Sequence, residues 1–389
     1  MTFARYNYLL FVFGLVFGVV FYDFIDVTFH FSYIDELLAL FLFFGYCYRC
    51  VFTKKFNREF GLVLGIFLFY LVYSLYIHTN VPAAIWMDFL ILIKPFLAFY
   101  CFYEMAPKFT DRQRQRICRL CLILGFFVFV LGLSPGNPFL GGPRLATATT
   151  ILATTYLFCS ERNTKDIRRC IILLAIGLLS FKSKHYVFFA ASLGIFYLLK
   201  TIRLRSLLLS AFVLIPLMLW AGWAKFDFYF IQGSQSENMF ARPALFMGAW
   251  DLLWQYIPFG PGFGSYASYA SAVFTSPLYY TTPALKLASE IQEGLFLCDA
   301  FFPQLAQFGF VGVFLFIEFW VIQTRKGWRT YLISHDVIPM KMVLLTVIFF
   351  VIESVPDTTF THNRGMFMMM LLALWLRDNR KSEIKEYYA

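Results

Sequence analysis

Seven basic residues stand apart from the other cations of this chain: Arg144, Lys182, Lys184, Lys225, Arg242, Lys286 and Arg364. Grouped cations suit an anionic ligand, above all a phosphate or pyrophosphate. The plain alternative for each is a side chain that snorkels to lipid headgroups or is solvated at a surface. Arg242 is the best placed. Pro243 suits the first position of a helix, where its missing N–H costs nothing. The run "PALFMGAWDLLWQY" then continues without a breaker until Pro258. Arg242 is therefore expected beside unpaired helix amides and the positive end of the helix dipole, a natural seat for phosphate. Simple pairing with Glu237 or Asp251 is the structural alternative.

Carboxylates supply the other half of a transfer site. Glu290 and Glu293 share a face if residues 285–298 are helical. Asp299 precedes the long apolar run "FFPQLAQFGFVGVFLFIEFW", and Glu353 and Asp357 close the penultimate one. Any of these is chemically able to take a proton from a sugar hydroxyl. Asp299 has the more ordinary role of helix N-cap as its alternative. His362, close to Arg364, is a further candidate. Trp250, Trp254, Tyr256, Tyr266, Tyr269, Tyr279 and Tyr280 are able to stack on sugar rings or to form an interfacial aromatic belt. The "GPGFG" run (Gly260, Gly262, Gly264) lacks the spacing of a dinucleotide fingerprint. It is expected to turn sharply or to approach a ligand.

The elements that must position these residues are apolar. Hydrophobic residues make up 60% of the 389, aromatics 21% and charged residues 14%, with mean hydropathy +0.67. That composition excludes a soluble globular chain and predicts an all-α, polytopic transmembrane bundle. About twelve spans are expected, near 8–23, 34–50, 60–78, 84–103, 117–134, 145–159, 170–182, 186–199, 206–224, 304–324, 338–353 and 364–376. The first run, from Tyr8 to Phe21, has acidic residues after it and no small-residue cleavage site, so it is expected to be retained. With the N-terminus in the cytoplasm, the intervals 49–59, 104–119, 160–169, 200–205, 325–341 and 377–389 fall inside. With Arg5 they hold 25 of the 33 Lys and Arg. This is the positive-inside bias, repeated at each inner loop, and it puts both termini in the cytoplasm.

The seven cations named first then lie on the outer side, and Lys94 lies within a span that also carries Asp88. Intramembrane charges of this kind need partners. A net charge of +10 is accordingly a topology signal rather than a nucleic-acid footprint. Of eight Cys only Cys298 falls outside, so no disulfide framework is expected. Two C-x-x-C pairs, Cys47 with Cys50 and Cys118 with Cys121, lie at span ends among Leu, Tyr and Phe, which argues against zinc. The chain reads as one membrane domain, 1–389. One long outer loop, 225–303, is rich in aromatics and poor in charge, and is expected to fold with short helices. Two shorter outer loops are "SPGNPFLGGPR", 134–144, and "ESVPDTTFTHNR", 353–364.

Together, the Arg-led helix with its Trp, the "PFGPGFG" run and the span opening "FFPQLAQFGFVGVFLF" resemble the O-antigen polymerase and ligase superfamily. The likeness covers residues 241–320 and, more loosely, "SFKSKHYVFFAASL", where the family often carries Ser-Arg and this chain has Ser183-Lys184. It implies a metal-independent, inverting membrane glycosyltransferase without a cofactor, active at the periplasmic face of a bacterial inner membrane. By that likeness Arg242 and Lys184 bind the pyrophosphate of an undecaprenyl-linked oligosaccharide. Lys182, Arg144 and Arg364 complete the expected cation set. Asp299 or Glu293 is the expected base, and Trp250, Tyr266 and His362 are the expected glycan contacts. Ligases of the family carry His-Asn where this chain has Cys298-Asp299, so a polymerase of repeat units is the preferred reading. A ligase acting on lipid A core and a transporter or flippase for a lipid-linked glycan are the alternatives. The lipid bilayer and a chain-length regulator protein are the other expected partners; nucleic acid is not.

Overall fold

The computed structural model describes residues 3–105, 107–134, 139–199, 222–236 and 238–378, with 212, 216 and 220 singly. The ninth expected span (206–224), the interval 200–205, Glu237 and most of the basic tail fall wholly or largely outside the described residues. In hydrocarbon the backbone has only itself to bond, and apolar runs therefore become helices. α1 (Phe3–Phe13) continues as a π-helical stretch, Gly14–Val20, and α2 is Tyr22–Phe29. Next come α3 (Ile34–Thr53), α4 (Arg58–Ile77), α5 (Pro82–Met105) and α6 (Asp111–Gly132). α7 (Pro143–Cys159), α8 (Thr164–Ile176) and α9 (Ser183–Tyr197) follow. After the long loop's first part come α10 (Ala241–Gln255), α11 (Gly309–Ser334), α12 (Val337–Ser354) and α13 (Asn363–Leu376). Among the described residues every regular element is helical. Seven of the described segments are long and apolar enough to cross a membrane: Phe3–Val20, α3 to α6, Phe301–Ser334 and α12. The protein is a multi-pass helical membrane protein.

α7 and α13 are shorter, and both are enclosed. Every residue from Leu145 to Cys159 and from Asn363 to Leu376 is buried. A helix walled by protein meets no lipid, so the length that lipid demands does not bind it. Several hydroxyls of α7 are satisfied within the helix: Thr150 Oγ1 donates to Ala146 O at 2.9 Å and Thr154 Oγ1 to Thr150 O at 2.7 Å. α13 packs along α5, α7 and α12, and these four make the centre of the bundle.

Ion pairs sort the helix ends into two sets. At one end Glu104 of α5 meets Arg49 of α3 and Arg377, Arg162 meets Asp336 and Asp378, and Lys326 meets Glu59. At the other, Asp23, Asp35, Glu36, Lys94, Arg144, Lys184, Arg242, Asp299, Glu353, Asp357 and Arg364 interlock. Residues 238–300 sit at this second end as short helices around a core of their own, with Leu245, Leu252, Tyr266, Tyr279, Leu285 and Ile291 at its heart.

The glycine run clips that loop to the α4–α5 corner. Tyr73 OH donates to Gly260 O at 3.0 Å, Phe263 N–H to Ser74 Oγ at 2.8 Å and Gly264 N–H to Asp88 Oδ2 at 2.7 Å. Gly262 N–H reaches Gln307 O at 2.7 Å. The sharp turn expected at "GPGFG" is therefore a docking device, and its close neighbour is the protein's own backbone. At Gly260 (φ +75°) a Cβ would lie 2.3 Å from Gly309 N and 2.4 Å from Gln307 O. Gly260→Ala should cost more than about 1 kcal/mol, since neither the left-handed backbone nor the contact tolerates a methyl group. Limited proteolysis of the membrane-embedded protein reads this as faster cleavage within 238–300; an unchanged rate would show the contact to be slack.

Candidate functional site

Three separated stretches of chain converge at the second end. α10 begins at Ala241, so Pro243 is its third residue rather than its first. The Ala241 N–H donates to Glu290 Oε2 at 2.9 Å. A carboxylate of the loop thus occupies the seat at the helix N-terminus that was expected to take phosphate. Arg242 points elsewhere: its guanidinium pairs with Asp299 and lies 4.8 Å from the centre of the Tyr229 ring. Its Nε is buried with no acceptor among the described residues, leaving one donor for a further ligand. Asp299 is not an N-cap, because the helical turn beyond it starts at Phe301 with Ala300 in that role.

Lys184, in the first turn of α9, donates to Glu353 Oε2 at 2.6 Å and to Asp357 Oδ2 at 2.7 Å. Thr359 Oγ1 takes a further bond to Glu353 Oε2, at 3.0 Å. The Phe301 N–H donates to Asp357 O at 3.2 Å and ties the two stretches together. The Arg242–Asp299 and Lys184–Asp357 pairs are neighbours, and Asp299 feels the charges of both Lys184 and Asp357. Burial pushes the Asp299 carboxyl above the usual carboxylate range, while Arg242 pulls the other way. Burial acts on Asp357 too, but Lys184 outweighs it and holds that carboxyl below its usual value.

His362 is exposed to solvent, with Thr358 and Asp357 close by. Its Nε2 lies 3.2 Å from Thr358 Oγ1. Burial lowers its proton affinity below the ordinary histidine value, with Asp357 opposing, and the imidazole is neutral at pH 7. Beyond it Lys94 donates to Asp35 Oδ2 at 2.6 Å and Glu36 Oε1 at 2.5 Å.

Beside the ion pairs runs an apolar groove of about 740 Å³ between α10, α11 and α12. It begins at Ala249, Phe302 and Ser354, close to Arg242, Asp299 and Glu353 in the chain, and reaches Thr324 and Arg325. From Val313 to Arg325 the α11 wall runs roughly 18 Å.

Arg242, Asp299, Lys184 and His362 are thus brought together. Arg364 and Arg144 share Asp23, the latter at 3.3 Å, and stand to one side. Lys182 is exposed and packs on Gly142. Trp250 is exposed and lines the groove. Two expectations are corrected. Tyr266 is fully buried, with its hydroxyl donating to Leu245 O at 2.7 Å, so no sugar ring reaches it. Residues 285–298 do not form a helix: only Ser289–Gln292 makes an α-turn, and Glu293 is exposed beyond it, outside the converging pairs. The acids Asp23, Asp35 and Glu36 went unassigned in the sequence reading. Lys94 was the signal for two of them, since a cation inside a span demands acidic neighbours.

No protein-family model matches the chain, and no curated protein is detectably similar to it. The site therefore speaks through its geometry.

The neutral His362 sets a pH dependence. Below pH 6.5 the unfolded chain takes up a proton that the folded protein resists. Stability therefore falls as pH drops from that value toward the lowered one. His362→Gln should flatten the fall of the thermal midpoint between neutral pH and about pH 5. Parallel curves for the two proteins would place the imidazole in open solvent instead.

Proposed function

We propose that this chain is a membrane glycosyltransferase that polymerises oligosaccharide units carried on undecaprenyl pyrophosphate. In this reading it crosses a bacterial inner membrane twelve times, keeps both termini in the cytoplasm and works at the periplasmic face. The observation that carries the proposal is the adjoining Arg242–Asp299 and Lys184–Asp357 pairs beside an apolar groove. Sidedness is supported by the opposite end, where Arg49, Arg162, Lys326 and Arg377 sit in the loops that the positive-inside rule assigns to the cytoplasm.

The diphosphate of the donor enters between Arg242 and Lys184, and its polyprenyl chain lies along the groove. Arg242 exchanges Asp299 for a phosphate oxygen and offers its free Nε–H as a second contact. The acceptor hydroxyl attacks the anomeric carbon from the face opposite the diphosphate. As the new C–O bond forms, the anomeric C–O bond to pyrophosphate breaks, and its electron pair leaves with the lipid pyrophosphate. The hydroxyl proton passes to Asp299, whose raised proton affinity suits it to that task. His362, neutral and exposed, is a hydrogen-bond partner for the glycan. A ligase would differ only in its acceptor. The reading from another class, a carrier for a lipid-linked glycan, is favoured by one observation: the Lys94–Asp35–Glu36 triad, in which Lys94 and Asp35 are buried and Glu36 is part-exposed.

The test supplies purified protein with an undecaprenyl-pyrophosphate oligosaccharide. A ladder of products is expected. Transfer only to a core lipid would make the chain a ligase, and flux without any new glycosidic bond would make it a carrier. Arg242→Ala should slow transfer on the order of 10²–10³-fold, the usual effect of removing one preorganised charge contact. Arg242→Lys should recover only part of it, because an ammonium lacks the guanidinium fork.

A further inference from the structure

The structure sets two of the outer cations away from the transfer site and over an apolar pocket. Arg144 is the second residue of α7, 54% of its side chain is exposed, and it meets Asp23 at 3.3 Å. Asp23 is shared with the buried Arg364. Gly142, two residues before Arg144, is so close to Lys182 that a Cβ there would lie 3.1 Å from Lys182 Cε. Lys182 is exposed, and no described carboxylate pairs with its ammonium. Arg144 and Arg364 share one carboxylate and Lys182 has none, so the ion pairs here leave positive charge in excess.

Next to this patch is a pocket of about 170 Å³ lined by Val20, Phe21, Phe24, Phe127, Leu131 and Phe139. Phe21 and Phe24 flank Asp23 in the chain, so part of the pocket wall adjoins the carboxylate that Arg144 meets. The rings interlock, Phe24 with Phe139 at 5.1 Å and Phe21 with Phe127 at 5.3 Å between centroids. On α6 the residues beside the lining, Phe126 and Val130, are 68% and 47% exposed. The pocket is thus reached from the lipid-facing side of α6.

Cations in excess at a helix-end rim with an apolar cleft below them have the shape of an amphiphile: one phosphate, one hydrocarbon chain. We propose that this face binds an anionic glycerophospholipid, its phosphate on Arg144 and Lys182 and one acyl chain in the pocket between α2 and α6. Neither cation is then needed for the diphosphate, and the site is independent of the glycan-transfer reading. Arg144 is free to turn toward a headgroup because Asp23 keeps Arg364 when it leaves.

Native mass spectrometry of the full detergent-purified chain tests this with dioleoylphosphatidylglycerol and dioleoylphosphatidylcholine. The glycerol lipid should give a retained one-to-one adduct and the choline lipid should not. The double variant Arg144→Gln, Lys182→Gln should weaken that adduct about thirtyfold, the factor that two cations near a membrane surface supply. Leu131→Trp, which fills the pocket and leaves every charge in place, should weaken it as well. Inorganic phosphate at equal concentration should not displace the lipid. Equal retention of both lipids, full retention in both variants, or displacement by inorganic phosphate would each overturn the proposal.

Discussion

A charge held beside hydrocarbon is tolerated only when its opposite comes with it. That constraint organises one whole end of this protein. Lys94 is buried in α5, far from either terminus of that helix, and it brings the first turn of α3 to it through Asp35 and Glu36. Lys184 does the same for α9, α12 and the turn that follows α12. Arg364 draws in α2 through Asp23. Removing one partner of such a pair leaves an uncompensated buried charge, typically a loss of about 3–5 kcal/mol. The pairs therefore act as fixed points between helices that apolar packing alone would let slide, since lipid tails are as apolar as leucine.

The same constraint bears on the proposed donor. Arg242 and Lys184 do not wait with empty guanidinium and ammonium groups; carboxylates already hold both. In the proposed reading a diphosphate binds by exchange, and the displaced carboxylate remains within reach of the reacting atoms. Asp299 is the one suited to let go, because it is partly open to solvent and burial has raised its proton affinity. Asp357 is the opposite case, kept ionised by Lys184 and anchored through its carbonyl to Phe301 N–H. One carboxylate is thus mobile in charge and the other fixed. Glu290 adds to the asymmetry by closing the first amide of α10, which leaves the side chain of Arg242, rather than the helix dipole, to meet the ligand.

Much of this architecture was legible in the sequence, and the reasons differ by level. Apolar runs located α3, α4 and α5 to within a few residues, because a helix in lipid must be apolar along its length. Helix starts were less legible. α8 begins at Thr164, six residues before the run expected at 170, because Asn163 and Asp166 form a capping box and polar residues make up the first turns. The segment 285–298 is not one helix because Ala288 is extended and Gly294 and Phe296 adopt left-handed backbone, which confines the α-turn to Ser289–Gln292. Tyr266 illustrates a further limit: a loop tyrosine reads as surface until the loop is known to own a core. Partners were the least legible of all. Arg364 meets Asp23 across 341 positions and Lys184 meets Asp357 across 173, distances over which composition and periodicity carry no pairing information.

The two charges that the sequence places within one span have different fates. Asp88 accepts the amide of Gly264, so its carboxylate is committed to holding the long loop on the bundle. Lys94 is committed to α3. Both lie on α5, six residues apart, and so one helix carries the clasp of the loop and the salt bridges of the bundle together. The loop in turn carries Arg242 and Asp299, while the bundle carries Lys184, Asp357 and His362. The two halves of the candidate site are thus joined through α5 as well as through the Phe301–Asp357 backbone bond.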